Sequence, residues 1–136
     1  METVRSQIVI PADTSKLSDL RAQLFEICDE NAVPPQTSRR LVLAIDEALA
    51  NIIEHGSLTP KDSITIDMEI GEDEIVVSLR DCGVAFDPTP VVGTPDNSQF
   101  PRRGFGLYLI QLIVDSIEYS RTPSGENLLV LTKVIE

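Results

Sequence analysis

Glu47, Asn51 and His55 follow one another at four-residue intervals within the stretch from Leu41 to Gly56, LVLAIDEALANIIEHG. At ~100° per helical residue this spacing puts a carboxylate, an amide and an imidazole on one face. Polar groups stacked in this way along a mostly apolar helix look like a site. The residues around them, Leu41, Ala44, Ile45, Ala48, Leu49, Ile52 and Ile53, are apolar. The stripe also reads as the wet side of an amphipathic helix. The helix alone leaves both readings open.

Two further stretches bear chemistry. Asp81-Cys82-Gly83 opens the run DCGVAFD at the end of an alternating segment. An acid at a strand terminus followed by glycine lets a flat ligand come close to the carboxylate, because Gly83 brings no Cβ. Asp-x-Gly is also ordinary turn chemistry. Cys82, between the two, is expected to point away from them and pack. Farther on, Arg102-Arg103-Gly104-Phe105-Gly106-Leu107 leads into a helix. Glycines at a helix N-terminus expose backbone N–H groups, and the helix dipole adds partial positive charge, a combination that cradles phosphate. Preceding arginines would strengthen such an anion site; the alternative is a loop end with glycines for close packing. No GxxxxGK[ST] run exists, so no P-loop lysine is available.

The elements that must position these groups can be read from pattern. Val4 to Ile10 is β-rich and stops at Pro11, as an edge strand would. Asp13 or Thr14 can cap a helix to about Asn31, with Leu17, Leu20, Leu24 and Ile27 as its stripe. After the loop NAVPPQTS, Thr37 or Ser38 can cap the second helix, which His55-Gly56 ends. Ile64, Ile66, Met68 and Ile70 alternate with polar residues, Gly71 to Asp73 turns the chain, and Ile75, Val77 and Leu79 alternate again. Pro88 to Pro101 carries four prolines and no periodicity, which predicts a loop. Gly104 to Gly106 opens a third helix, LYLIQLIVDSI, and a closing hairpin joins IEYSR to LLVLTKVI through Thr122–Asn127. The expected fold is α+β: a two-layer α/β sandwich whose mixed, mainly antiparallel sheet is covered on one face by three helices.

Bulk properties narrow the class. The 136 residues suffice for one domain, 1–136, with an ordinary core. A net charge of −11 argues against a phosphate-backbone binder, so no direct nucleic-acid contact is expected. Cys28 and Cys82 form no CxxC pair, which points to a reduced, cytoplasmic setting. METVRSQIVI lacks a signal-peptide core, and no apolar run reaches membrane-spanning length, so no membrane partner is expected.

Taken in order, Glu47-Ala-Leu-Ala-Asn51, Asp81-Cys-Gly83 with Phe86-Asp87 behind it, a proline-rich loop and Gly104-Phe-Gly106-Leu107 resemble the motif boxes of the GHKL (Bergerat-fold) nucleotide-binding family. Within it the chain looks most like the small anti-sigma-factor serine-protein kinases, on Glu47, Asn51 and His55-Gly56, on AFDP at Ala85–Pro88 and on GLYLIQLIVDSIEY. That resemblance implies ATP and Mg²⁺ as cofactors, with Asn51 as the metal ligand and Glu47 as the general base. It implies that Asp81 accepts from the adenine amino group while Gly83 permits the approach. Gly104 and Gly106 would meet the phosphates, and either Arg102 or Arg103 the γ-phosphate. Phe86, Phe105 and Leu107 belong to the same nucleotide-binding boxes, Pro88–Pro101 to a lid, and His55 to its support. The implied activity is ATP-dependent serine/threonine phosphorylation of a STAS-domain anti-anti-sigma protein, coupled to sequestration of a sigma factor, in a homodimer. The alternative is a nucleotide-binding regulatory module that exchanges partners without phosphotransfer.

Overall fold

The computed structural model describes residues 3–85 and 102–135, with the backbone alone for 102–107. Strand β1 (Val4–Pro11) leads through a short 3-10 turn into α1 (Leu17–Glu30) and α2 (Pro35–His55). Strands β2 (Ser63–Ile70) and β3 (Glu74–Asp81) follow, then α3 (Arg102–Ile113), β4 (Ser116–Arg121) and β5 (Asn127–Val134). The spatial order of the sheet is β1-β2-β3-β5-β4. The expected α+β sandwich is present, and its sheet is antiparallel throughout. Two helices between β1 and β2 carry the chain out and back, so the strands they join run in opposite directions. One helix between β3 and β4 leaves those two strands parallel, but β5 enters between them and no parallel neighbours remain.

Period-two patterning decides which face is covered. Ile64, Ile66, Met68 and Ile70 of β2 and Ile75, Val77 and Leu79 of β3 are buried, with partly exposed residues between them. They form one core with Leu20 and Leu24 of α1 and Leu41, Ile45 and Leu49 of α2. On the other face the alternate residues carry polar links: Gln7 to Asp67 at 2.8 Å and Arg5 to Glu69 at 2.6 Å. This is the division expected of an antiparallel sheet wet on one side.

Element boundaries moved in three places. Asp13 Oδ1 accepts from Ser15 N–H at 2.9 Å, so Asp13 caps the 3-10 turn, and α1 starts after Lys16 with no side-chain cap of its own. Helix α2 begins at Pro35, ahead of the expected Thr37 or Ser38 cap, and both of those residues are buried inside it. Proline at the first helical position loses nothing, since its missing N–H would have had no partner there. Helix α3 ends at Ile113 rather than Ile117. Asp115 ends it: its N–H donates to Thr132 O at 2.8 Å and its Oδ2 accepts from Val134 N–H at 2.7 Å, which commits Ser116 to the sheet. Among the described residues no helix is long and apolar enough to cross a membrane.

Candidate functional site

Helix α2 carries its polar stripe along the flank of the core. Asn51 is 5% exposed, Glu47 and His55 half-buried. The Asn51 Nδ2 donates to Glu47 O at 3.0 Å, a bond that fixes the side-chain amide. Its Oδ1 makes no hydrogen bond among the described residues and is left as an acceptor. One turn back, burial pushes the Glu47 carboxyl up from its ordinary pKa, and the neighbouring negative charge of Asp46 adds to the shift. Asp46 is itself held by Arg21 of α1 at 2.8 Å.

Asp81, 4% exposed, ends β3 beside the C-terminus of α2. Its Oδ1 accepts from Gly83 N–H at 2.8 Å, the usual Asx geometry of such a turn. The next N–H, that of Val84, donates to Gly56 O at 2.9 Å and joins this turn to the end of α2. A Cβ on Gly83 would lie 2.5 Å from that same Gly56 O. Gly83 is thus demanded by helix–loop contact, a role the sequence did not suggest. Gly56 ends α2 with an ordinary right-handed backbone, φ −81°, and the left-handed residue is Ser57, φ 55°. Cys82 is exposed, contrary to the packing role expected of it, because β3 ends at Asp81 and strand alternation no longer governs its direction.

A pocket opens between α2 and the end of the sheet. Ala48, Ile52, Val84, Ile110 and Leu129 give it apolar walls, and Asn51, Asp81, Tyr119 and Asn127 give it polar edges. Apolar walls with a few convergent polar groups suit an apolar ligand with hydrogen-bonding edges. Asn51 and Asp81 are therefore brought into one cavity from elements distant in sequence. Glu47 and His55 are not part of its wall as formed by the described residues.

Of the residues lining this pocket only Asn51 and Asp81 were expected site residues; Asn127, Tyr119 and Ile110 are among those missed at sequence level. Asn127 interrupts the inward row Leu129, Leu131 of β5 with a buried polar side chain, and that break in alternation was the available signal. Helix α3 begins at Arg102, so Gly104 is among the first four N–H groups, which have no acceptor within the helix, and Gly106 lies beyond them. Phe86 and the loop from Pro88 to Pro101 lie outside the described residues, as do the side chains of Arg102, Arg103, Phe105 and Leu107.

Comparison with known proteins agrees with the fold. The sequence profile of the histidine kinase-like ATPase domain matches residues 10–133. Serine-protein kinase RsbW of Bacillus cereus strain AH187 is 28% identical over 119 residues, which cover 82% of this chain and 74% of the relative. RsbW of Bacillus mycoides strain KBAB4 is 27% identical over the same coverage. A crystal structure of the RsbU and RsbW domains of a Mycobacterium tuberculosis protein superposes at TM-score 0.70 and 20% identity; it covers 98% of this chain, which spans 33% of that one. The SiaB–SiaC complex of Pseudomonas aeruginosa gives TM-score 0.61 at 14% identity, over 96% of this chain and 89% of that one. Both superpositions speak to the fold.

Proposed function

The chain belongs to the histidine kinase-like ATPase domain family, and from that premise we propose that it is an ATP-dependent protein-serine/threonine kinase and anti-sigma factor. Its phosphoacceptor is a STAS-domain anti-anti-sigma protein, and its other partner a sigma factor. The observation that carries the reading is the meeting of Asn51 and Asp81 in one pocket, with Glu47 one helical turn from Asn51.

Each side chain has a task. Asp81 offers Oδ2 to the amino edge of adenine, between the apolar walls of the pocket. The Asn51 Oδ1, without a protein donor among the described residues, would hold a magnesium ion, a role that suits an amide oxygen. Magnesium would supply positive charge against the triphosphate. The first N–H groups of α3, which have no acceptor within the helix, would face anionic oxygen favourably through the helix dipole. Arg102 or Arg103 adds charge at the γ-phosphate, and Phe86, Phe105, Leu107, Gly106 and His55 complete the nucleotide site. In the transfer the acceptor hydroxyl oxygen forms the new bond to the γ-phosphorus, its proton passes to the Glu47 carboxylate, and ADP departs with the electrons of the broken bond. A carboxyl with a raised pKa is a stronger base once ionised, which suits Glu47 to that proton.

The reading is tested with the purified chain, ATP labelled at the γ-phosphate, magnesium and a STAS-domain protein. Label should move to a serine or threonine, and Glu47→Ala should abolish transfer by roughly a thousandfold while nucleotide still binds. Binding with no transfer by the unaltered chain would favour the regulatory module that works by partner exchange. Absence of any nucleotide binding would reject both.

A further inference from the structure

Asn127 stands opposite Asp81 in the register of β3 and β5 and is 5% exposed. Its Oδ1 accepts from the Tyr119 hydroxyl at 2.5 Å and from Arg121 Nη1 at 2.9 Å. Arg121 is steadied in turn by Gly125 O, which accepts from Nη2 at 2.6 Å. An amide oxygen engaged by two donors leaves the NH₂ group no choice of direction. Nδ2 therefore faces the turn after β3. It reaches Asp81 Oδ1 at 3.0 Å, Gly83 O at 3.1 Å and Val84 O at 3.2 Å.

The consequence falls on Asp81. Its Oδ1 accepts twice, from Gly83 N–H and from Asn127 Nδ2. Among the described residues no group donates to Oδ2, and Asp81 lines the pocket. A carboxylate held in this way cannot turn its occupied oxygen toward a ligand. It reads through one acceptor. Building on the nucleotide site proposed above, we propose that Asn127, oriented by Tyr119 and Arg121, is a positioning residue that makes Asp81 select purines bearing an exocyclic amine. A base lacking that amine would leave Oδ2 desolvated and unpaired, and a base with a carbonyl there would set two acceptors against each other. Both are penalised far more than a neutral gap would be.

The test compares three ligands by calorimetry on the full chain: ATP, purine riboside triphosphate (no amine) and inosine triphosphate (a carbonyl in its place). The unaltered chain should prefer ATP over either by roughly a hundredfold, the loss of a charged hydrogen bond with its partner left unpaired. Asn127→Leu should cut that preference about tenfold or more, chiefly by weakening ATP. Tyr119→Phe keeps the Asn127 side chain and removes one of its two fixing donors, and should lower the preference about threefold. If both variants weaken all three ligands equally, or leave the ratios unchanged, Asn127 only braces the turn and the assignment is overturned. An unaltered chain that binds none of the three overturns the nucleotide site itself; one that binds ATP while the variants keep its selectivity overturns only the role of Asn127.

Discussion

At the scale of single residues, the site is built from groups that each lack something. Asn51 has an oxygen without a protein donor among the described residues, and Asp81 has one oxygen filled and one left open. Glu47 has a carboxyl that burial and Asp46 keep from ionising easily. A carboxyl whose folded pKa lies above its unfolded value contributes stability below the unfolded pKa and loses it as pH rises through the folded one. At neutral pH Glu47 therefore costs stability, which fits its proposed role as a base. Glu47→Gln removes the charge with little change of shape. It should abolish transfer yet melt about 1 °C higher at pH 7, a gain kept small by the solvent that still reaches Glu47. The difference should vanish at about pH 3, well below the ordinary glutamate pKa of about 4.3, where the carboxyl is protonated in both states. Thermal melts at the two pH values decide it: a Gln variant that melts lower at pH 7 would mean the carboxylate is stabilised rather than strained.

At the scale of elements, the decisive contact joins the end of α2 to the turn after β3. Val84 N–H on Gly56 O fixes how far Asp81 stands from Asn51, and Gly83 lets the two segments meet. Gly83→Ala would push its Cβ to 2.5 Å from a backbone oxygen and 3.0 Å from Asp81 Oδ1, so the turn must leave the helix. We expect about 1–3 kcal/mol of destabilisation and a tenfold or greater loss of ATP affinity, read by denaturant melts and calorimetry. Gly71→Ala serves as the control, because a Cβ there lies 3.4 Å from Glu74 O and can be accommodated. Equal behaviour of the two variants would refute the clash. This contact also marks the limit of what the sequence told. Ile64 to Ile70 and Ile75 to Leu79 announced their strands, because alternate burial leaves a period of two. The stripe of α2, Asn51 included, was legible from its four-residue spacing on a helix, and Asp81 from its place at the end of a strand. Gly83 was legible as a glycine but not in its role, since its partner Gly56 lies on a distant element. The end of α3 was hidden because LYLIQLIVDSI stays apolar across Asp115, and only the hydrogen bonds to Thr132 and Val134 show why the helix stops. Asn127 went unremarked because a polar residue at a turn edge is ordinary until its opposite number across the sheet is known to be Asp81.

At the scale of the whole molecule, charge and layering give the surface distinct faces. The helices cover one face of the sheet, and the other is wet and cross-linked by Arg5–Glu69, Gln7–Asp67 and a longer Arg80–Asp67 pair at 3.9 Å. Such exposed pairs contribute little to stability, so that face is held by backbone pairing rather than by its charges. The net charge of −11 is a different matter, because it acts at a distance. Acidic residues Glu26, Asp29 and Glu30 stand exposed at the end of α1, with the half-uncovered ring of Phe25 among them. A basic protein partner would be drawn to this surface before any contact forms, and the attraction would be screened within a distance of ~10 Å at 0.1 M salt. If the proposed sigma factor is held through a basic surface, its association rate should fall at least tenfold between roughly 0.02 M and 0.5 M salt, with a smaller change in the dissociation rate. Glu26→Lys combined with Asp29→Lys should flatten that dependence without altering ATP affinity, since α1 contributes nothing to the pocket wall described. Rates measured by stopped flow across the salt series would settle the matter: a salt-independent association rate would place recognition in apolar contact, with Phe25 and the exposed Leu43 of α2 as the residues to truncate next.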